Sequence, residues 1–348
     1  MKKIFTISLF LLSLTTAFSQ SVGVGTTTPN ASAKLDVSSN TQGFLMPRMS
    51  TVQRRAIVNA APGLMVFDLD KNTLYMYDGG NWNPLSFVGE NTLSPTPRFP
   101  SDATSNKRFG KSVSISGNYA IVGAPGDTSG GGTSKGAAYV FFKSNNSWVQ
   151  QAKLQAADGV AYDGFGSAVS IDGDYLVVGA CFATVAGHYQ QGAAYIFNRT
   201  GTSWLQQAKL SASDGVENDN FSTALAISGD NVIISAYLAT VGSNTGQGAV
   251  YAFKRSGTSW PFQNKLVAAD GMANNFFGMS VAVSGSYAVI GASNATIGAD
   301  NNNGAAYVFV QGGGTWTFQT KLNGNAGGSY NFGFSVSISG DLIAVGAP

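Results

Sequence analysis

Cysteine and histidine are almost absent from this sequence, which has one of each in 348 residues, Cys181 and His188. A single cysteine cannot form a disulfide within the chain, so no disulfide framework supports the fold. Cys181 stands where an equivalent segment has Pro125, which favours a small residue filling a tight position; an intermolecular disulfide or a reactive thiol is the alternative. A single histidine excludes sites built from several histidine ligands, and no Ser or Cys motif accompanies His188 for nucleophilic catalysis.

Charge is also scarce. Only 11% of the residues are charged, the net charge is +2, and no run of Lys or Arg occurs. Such a chain has no field strong enough to recruit nucleic acid or an anionic membrane, so we expect no nucleic-acid partner. The 44 glycines and 44% apolar residues are typical of a turn-rich β protein rather than a helical or disordered one.

Long apolar runs are missing after the N-terminal stretch, so the sequence predicts no transmembrane segment. Residues 1–19, MKKIFTISLFLLSLTTAFS, contain two lysines, an apolar stretch and then small residues on either side of Phe18. This order is typical of a cleavable secretory signal peptide. No cysteine follows the cleavage point closely, which excludes a lipid anchor there. We therefore expect a soluble protein that is secreted or held at the cell surface.

The most prominent feature that the sequence does contain is a repeat. FGKSVSISGNYAIVGAP (109–125) returns with small changes at 165–181, 221–237 and 277–293, and once more from Phe332 to Pro348. Lys-Leu pairs and tryptophans keep the same spacing of 56 residues. A fixed period of this length without insertion is the signature of a repeat architecture with one blade-sized unit per period.

Each period has the pattern of four short antiparallel strands. In the first period, SVSIS and YAIVGA flank a turn at Gly117, and GAAYVFF and SWVQQAKL form a second pair. No stretch within the repeats has a helical period. The predicted fold class is all-β, a β-propeller of four-stranded antiparallel blades over residues 105–348, with four full periods and one half and therefore incomplete.

The repeats resemble the FG-GAP family, whose β-propellers include the head of integrin α subunits. The resemblance rests on Phe-Gly pairs followed by Gly-Ala or Gly-Ala-Pro, as in Phe109-Gly110 with Gly123-Ala124-Pro125. The third copy departs from this pattern, with Ser222 after Phe221 and Ser235-Ala236-Tyr237 in place of Gly-Ala-Pro. The resemblance implies a propeller fold, whereas function on such folds resides in the loops.

We interpret the recurring aromatic residues as packing residues. The Phe of each pair can fill the space between blades, and the Gly and Ala that end the second strand let neighbouring backbones approach near the axis. The tryptophans are expected to pack at the outer strand or against the next blade, with an exposed ligand platform as the alternative. This structural set is Phe109, Phe165, Phe221, Phe277, Phe332, Trp148, Trp204, Trp260 and Trp316.

The binding face is expected where the longest irregular segments lie. If the strands run up and down in order, the loops after the second strands and the linkers between blades share one face, and such loops carry most recognition. The polar and aromatic residues on this face that do not recur are the candidates for ligand contact. They are His188, Tyr189, Tyr162, Asn244, Asp300 and Asn301.

Calcium is a separate question, because several integrin-type FG-GAP repeats hold Ca²⁺ between the first and second strands. The turns at that place here, such as Asp172-Gly173-Asp174, are too short to wrap an ion that needs about six to eight oxygens, so we expect no metal there and no cofactor. An alternative calcium site pairs carboxylates five residues apart, Asp158 with Asp163 and Asp214 with Asp219. Asp158, Asp214 and Asp270 each precede a glycine, which favours a turn-stabilising role for them.

The N-terminal residues 20–90 do not follow the period. Ser50 and Gln53 have the spacing of a capping box that opens a short helix, which Pro62-Gly63 must end, and residues 63–82 have the pattern of a hairpin turning at 70–72. This stretch resembles a module found in secreted proteins of Gram-negative bacteria and in phage tail-fibre-like proteins. Residues 91–104, with three prolines, are expected to form a linker.

The function that these observations favour is an adhesion or interaction module with a protein or glycan ligand and no enzymatic activity. The alternative is a secreted carbohydrate-active hydrolase that uses loop carboxylates such as Asp163 or Asp219. Because propellers close with about four to eight blades, we expect a fragment whose remaining blades lie downstream of Pro348. A five-bladed ring closed by residues 64–85, or a four-bladed ring with a dangling tail, are the alternatives.

Overall fold

The structure, a computed structural model, describes residues 22–28, 32–85, 99–102, 106–128, 134–144, 147–297, 303–324 and 331–348. The expected signal peptide, most of the expected linker, and the candidates Asp300 and Asn301 lie outside these residues. The chain divides into two compact units, Met1–Leu93 and Ser94–Pro348, which are described separately.

The first unit is a small module with a mixed sheet. Its elements are β1 (Val22–Val24), β2 (Leu35–Val37), β3 (Arg48–Met49), α1 (Thr51–Arg55), β4 (Met65–Asp68), β5 (Thr73–Tyr77) and β6 (Trp82–Pro84). Strands β1 and β2 pair in parallel, and a four-stranded sheet has the order β3-β4-β5-β6 with β3 parallel to β4.

Helix α1 begins with the capping box that the sequence predicts. The Ser50 hydroxyl accepts a hydrogen bond from the Gln53 N–H at 3.2 Å, and the Gln53 side chain accepts one from the Ser50 N–H at 2.9 Å. The helix has five residues and ends well before Pro62. Its Arg54 is buried and pairs at 2.9 Å with the buried Asp68, which ties α1 to β4.

The second unit consists, in its described residues, of consecutive antiparallel sheets, numbered here as blades 1 to 5. Blade 1 contains β7 (Val113–Ser116), β8 (Tyr119–Ala124), β9 (Ala137–Ser144) and β10 (Ser147–Leu154). Blade 2 contains β11 (Phe165–Asp172), β12 (Tyr175–Ala180), β13 (Ala193–Thr200) and β14 (Ser203–Leu210). Blade 3 contains β15 (Leu225–Ser228), β16 (Asn231–Ala236), β17 (Ala249–Lys254) and β18 (Phe262–Leu266).

Blades 4 and 5 continue the series. Blade 4 contains β19 (Phe277–Ser284), β20 (Tyr287–Ala292), β21 (Ala305–Gly312) and β22 (Thr315–Asn323), and blade 5 contains β23 (Ser335–Ser339) and β24 (Leu342–Gly346). Strands pair in chain order within every blade, so the prediction of an all-β fold with four-stranded antiparallel blades is confirmed. Residues 64–85 pair with one another and with β3 in the first unit, which differs from the alternative in which they complete the last blade.

The hydrophobic core lies between neighbouring blades. Phe165 is 1% exposed and packs against Tyr195 and Phe197 of its own blade, in one cluster with Ile121 and Val140 of blade 1. Equivalent clusters join blades 2 and 3 and blades 3 and 4. Phe165, Phe221 and Phe277 therefore fill interfaces between sheets, where burial of a side chain of this size stabilises by about 1.5–3 kcal/mol. Phe109 is partly buried and packs on blade 1 alone.

One blade face has no such cover within the described residues. On blade 1, Val113 and Ile115 are 68% and 63% exposed, whereas the equivalent Val169 and Ile171 of blade 2 are buried against blade 1. The difference arises because no blade precedes blade 1 among the described residues of the second unit.

Glycine is required where two blades touch through their backbones. A Cβ on Gly136 would lie 2.1 Å from the carbonyl oxygen of Phe165, and a Cβ on Gly123 would lie 2.0 Å from that of Gly166. No side chain fits at such distances. The glycines of one blade thus admit the Phe-Gly pair of the next.

Small polar residues of the first strands join adjacent blades by hydrogen bonds. The hydroxyls of Ser112 and Ser114 accept from the backbone N–H groups of Val169 at 2.9 Å and Ile171 at 3.2 Å. The alternating serines of SVSIS therefore satisfy backbone donors of the neighbouring blade, which would otherwise be unpaired near the axis.

Candidate functional site

A cavity of about 620 Å³ lies between blades 1 and 2, and is called here the loop cavity. Its walls come from the linkers into the two blades and from the loops after their second strands. The side chains in these walls include Asn106, Arg108, Tyr162, Phe182, Tyr189 and Gln190. The volume is within the range of about 300–1,000 Å³ that small-molecule sites occupy, and the loop cavity brings together two residues predicted from the sequence, Tyr162 and Tyr189.

Tyr162 occupies a backbone position that suits asparagine. The equivalent residues of the other three full repeats, blades 1, 3 and 4, are Asn106, Asn218 and Asn274, and the φ angles of these and of Tyr162 lie between 60° and 73°. Asn enters this left-handed region at lower cost than Tyr, because its short amide bonds locally to the backbone. Tyr162 is 72% exposed, so core packing does not compensate the cost. A strained residue without a packing role indicates a functional constraint.

Arg108 is a second exception at the same cavity. It has φ 52° where the equivalents in blades 2 and 3 are Gly164 and Asn220, residue types that tolerate this conformation. Blade 4 has Phe276 at this position, and there the ring packs against Tyr237 with centroids 5.7 Å apart. The Phe276 exception therefore has a packing reason, whereas Arg108 is exposed.

Gln190 is a third exception, and it contacts the aromatic wall. It has φ 53° where blade 3 has Gly246. Its side-chain amide donates a hydrogen bond to the Tyr189 hydroxyl at 2.9 Å. Phe182 and Tyr189 are 41% and 56% exposed, so the loop cavity presents three accessible rings, those of Tyr162, Phe182 and Tyr189.

A second cavity of about 570 Å³, called here the axial cavity, adjoins the first. Residues from the first strands of blades 2 to 4 and from the segment just before β7 line it, and it shares Arg108, Pro125 and Phe182 with the loop cavity. It adds the exposed Lys111. Cys181 is also on its wall, is free and buried, and burial raises the pKa of the thiol, which disfavours the reactive thiolate.

Two other sequence candidates lie elsewhere. His188 is exposed, and its backbone forms a bridge with Val185 within the loop after β12. The side chain of Asn244 donates to the Gln247 side chain at 3.0 Å and to the Gly271 carbonyl at 3.1 Å. Asn244 thus links a loop of blade 3 to the following linker.

The side chains of the recurring aspartates Asp158, Asp214 and Asp270 contact the third and fourth strands of their own blades. Asp158 accepts hydrogen bonds from the Tyr195 hydroxyl at 2.9 Å and from the Lys209 ammonium at 2.5 Å, and the other two make the same contacts with their own blades. Burial raises the pKa of Asp158, but Lys209 and Tyr195 outweigh it and hold that pKa below its usual range. The constant spacing from Asp to Tyr and Lys was the sequence signal for this contact.

Asp163 and Asp219 stabilise turns of the linkers by accepting backbone hydrogen bonds. Asp163 is 5% exposed and accepts a hydrogen bond from the Val160 N–H at 2.8 Å. In blade 4 Asn275 accepts from the Met272 N–H in the same way, so the contact needs an oxygen and not a charge. Within the ranges that the structure describes, no three His, Cys, Asp or Glu residues are grouped to hold a metal.

Asp163→Asn is expected to raise the melting temperature at pH 7 and to leave it unchanged below about pH 4, the ordinary pKa of Asp. Burial raises the pKa of Asp163 in the folded protein. The stability linked to its protonation is therefore present below the unfolded pKa and lost as pH rises through the folded pKa. Asparagine keeps the acceptor for Val160 and has no charge to bury. Thermal unfolding of both proteins across this pH range measures the difference.

Asp158→Asn is the matched control and should have the opposite sign. Because the folded-state pKa of Asp158 is lowered, its contribution is present above the unfolded pKa and lost as pH falls. The control should therefore melt at a lower temperature than the natural protein at pH 7. A lower melting temperature for Asp163→Asn at pH 7 would show that its carboxylate charge stabilises the fold.

The aspartates of the short turns between first and second strands are also engaged. Asp172 accepts a hydrogen bond from the Gly229 N–H at 2.7 Å, and Asp174 pairs with Arg199. That these turns bind no calcium stays a prediction.

Comparison with known families agrees with this geometry. A profile described as a phage tail like trimerisation region matches residues 23–102, and the FG-GAP repeat profile matches residues 99–141, 148–197, 204–253, 260–309 and 316–348. A search of curated proteins finds no match. The FG-GAP segments make up well over half of the sequence. The chain therefore belongs to the FG-GAP repeat family, and its repeats form a β-propeller-like interaction module.

Proposed function

We propose that the protein is an extracellular binding module that holds its ligand in the loop cavity between blades 1 and 2. The observation that carries this proposal is Tyr162, an exposed ring in a costly left-handed conformation where the three equivalent positions have Asn. Arg108 and Gln190 add two further exceptions of the same kind in the same cavity. Three coinciding exceptions support selection for a ligand rather than for the fold.

The extracellular location rests on the sequence of residues 1–19, which has the order of a secretory signal. No helix in the described part of the chain is long and apolar enough to cross a membrane. Adhesion is the role that fits an exported interaction module whose loops face outward.

Binding without catalysis is the second part of the proposal. The hydrolase alternative requires loop carboxylates that are free to act as acid and base. Asp163 accepts a backbone hydrogen bond, and Asp158 is held by Lys209 and Tyr195. Both carboxylates therefore have structural contacts that account for their presence.

The first unit supports binding by several copies at once. Its Phe44 and Leu45 are 64% and 69% exposed and line a cavity of about 600 Å³ with Phe67 and Leu74. Exposed apolar surface of this kind suits contact between chains, in keeping with the match to a trimerisation region. Three linked propellers would raise avidity without any new contact to the ligand.

Tyr162→Asn is expected to weaken ligand binding by more than about tenfold, because it removes a central aromatic contact. The melting temperature should stay equal or rise, since Asn is the residue that the equivalent positions carry. The measurement uses immobilised protein and a panel of glycans and extracellular matrix proteins in solution, so that avidity does not conceal the loss. Leu205→Ser, an exposed change on β14, is the control. If Tyr162→Asn binds every ligand of the natural protein equally well, the loop cavity is not the binding site.

A further inference from the structure

We propose that the ligand in the loop cavity is an acidic saccharide, whose carboxylate or sulfate binds Arg108 while its sugar rings pack on Tyr162, Phe182 and Tyr189. This inference rests on the proposed function, because it names the ligand class of the same cavity. It follows from the charge of the two adjoining cavities, the shape of their aromatic wall, and the residues that do not recur among the repeats.

The two cavities carry positive charge without counter-charge. Arg108 lines both and Lys111 lines the axial cavity, and no Asp or Glu is among the described residues that line either one. The side chains of Arg108 and Lys111 form no ion pair with any described residue. The fork of Arg is suited to bidentate contact with a carboxylate or sulfate.

The repeat itself does not need these two cations. The lysines that recur with the repeat are each paired with an aspartate of the same blade, as Lys209 is with Asp158 at 2.5 Å. Lys111, in contrast, has Ser167, Thr223 and Met279 at its equivalent positions. Arg108 likewise stands where blades 2 and 3 have Gly164 and Asn220 and blade 4 has the uncharged Phe276. Both cations are therefore additions at one place on the propeller, at the junction of the two cavities.

The aromatic wall favours a saccharide over a peptide side chain or a free anion. Tyr162, Phe182 and Tyr189 are all partly exposed around one opening and present flat apolar faces. Such faces pack against the C–H faces of sugar rings, while neighbouring amides bond to hydroxyl groups. Asn106 and Gln190 place two side-chain amides in the same walls.

The small number of cations argues against a densely charged polymer. Nucleic acid carries a phosphate at every nucleotide and is bound by many Lys and Arg side chains. Here the net charge is +2, and the described lining of both cavities contains two cations. One or two acidic groups on an otherwise uncharged saccharide match this site.

The test compares three saccharides by isothermal titration calorimetry on the full chain. Tetragalacturonate supplies carboxylates, its methyl ester has the same backbone without charge, and a κ-carrageenan oligosaccharide supplies sulfate without carboxylate. We expect the natural protein to bind at least one charged saccharide, and to bind tetragalacturonate more tightly than its ester if carboxylate is the recognised group. Arg108→Asn should weaken charged binding by about tenfold or more and leave the ester unaffected.

Matched variants separate the site from bulk charge and from folding. Lys143→Asn removes one positive charge at the opposite end of β9 and should leave all affinities unchanged. Arg108→Lys should restore part of the affinity lost in Arg108→Asn, because it keeps the charge without the fork. The melting temperature of Arg108→Asn should not fall, since Asn220 holds the equivalent position in blade 3.

The outcomes distinguish this inference from the proposed function. Recognition of an acidic group would be overturned if tetragalacturonate and its ester bound with equal affinity and Arg108→Asn changed the affinity of neither charged saccharide. The cavity would then be a site for neutral ligands. The saccharide class alone would be overturned if none of the three saccharides bound at millimolar concentration. It would also be overturned if an octathymidylate or a matrix protein bound more tightly and Tyr162→Asn abolished that binding. Charged binding that survives Tyr162→Asn and is lost in Arg108→Asn would keep the acidic ligand and remove the aromatic wall from its site.

Discussion

Phe165→Ala is expected to lower the free energy of unfolding by about 3–5 kcal/mol, the cost of removing a large aromatic side chain from a packed core. Phe165 is 1% exposed, and its ring meets Tyr195 at 5.5 Å and Phe197 at 6.1 Å between centroids. The cavity left by alanine would lie between blades 1 and 2, where blade 2 cannot move inward without losing contact with blade 3.

Urea unfolding followed by tryptophan fluorescence measures this loss. Phe334→Ala is the matched control, because Phe334 is 48% exposed and should cost less than about 1 kcal/mol. A loss below about 1 kcal/mol for Phe165→Ala as well would mean that the Phe of the FG pair does not hold the blades together.

Asp127→Ala is expected to destabilise the protein by about 3–5 kcal/mol, because the buried Lys107 loses its buried counter-charge and keeps only the partly exposed Asp102. Asp127 is fully buried and contacts Lys107 at 2.9 Å, Lys153 at 3.0 Å and the Tyr139 hydroxyl at 2.5 Å. Burial lowers the pKa of Lys107, but Asp127 and Asp102 outweigh it and hold that pKa above its usual range. In Asp127→Ala, the counter-charge that remains for Lys107 is Asp102 at 3.0 Å, which is 39% exposed.

The other blades provide the rescue for this variant. They have Ala183, Ala239 and Ala295 at the position of Asp127, and Asp163, Asp219 and Asn275 at the position of Lys107. The double variant Lys107→Asn with Asp127→Ala installs the pair found in blade 4 and removes both charges. We expect it to recover most of the stability lost in Asp127→Ala, as measured by the same urea unfolding. A double variant less stable than the single one would show that blade 1 depends on Lys107 itself.

The contacts of the recurring aspartates across the blade could not be predicted from local pattern. Asp158 before a glycine has the local pattern of a turn, which favours a hydrogen bond to the nearby backbone. Its carboxylate also accepts from Tyr195 and Lys209, far along the chain, because the linker into blade 2 folds back onto the third and fourth strands of that blade. In the same linker, Asp163 accepts a hydrogen bond from the Val160 N–H.

The candidate site was found only in part from sequence. Tyr162 and Tyr189 were singled out because they do not recur, and both line the loop cavity. Arg108 was missed because it directly precedes the FG motif and was not counted among the loop residues. Its deviation from Gly164 and Asn220 at the same position was visible in the repeat, but the left-handed φ that makes the deviation costly was not.

Periodicity in the sequence determined the blade and its strands by itself. Because aromatic residues and glycines recur at a fixed spacing, every repeat unit has the same strands and the same apolar faces. The alternation of apolar and polar residues and the turn glycines were therefore sufficient to predict four antiparallel strands per repeat. Tertiary structure decided which residues meet across blades. Gly136 contacts Phe165, and Ser112 and Ser114 accept hydrogen bonds from backbone N–H groups of the next blade. Arg108, Tyr162 and Tyr189 come from different linkers and loops and line one cavity between two blades. Such contacts depend on how one sheet is placed against the next, and that placement results from the packing of many side chains at once, which no local pattern in a single repeat encodes.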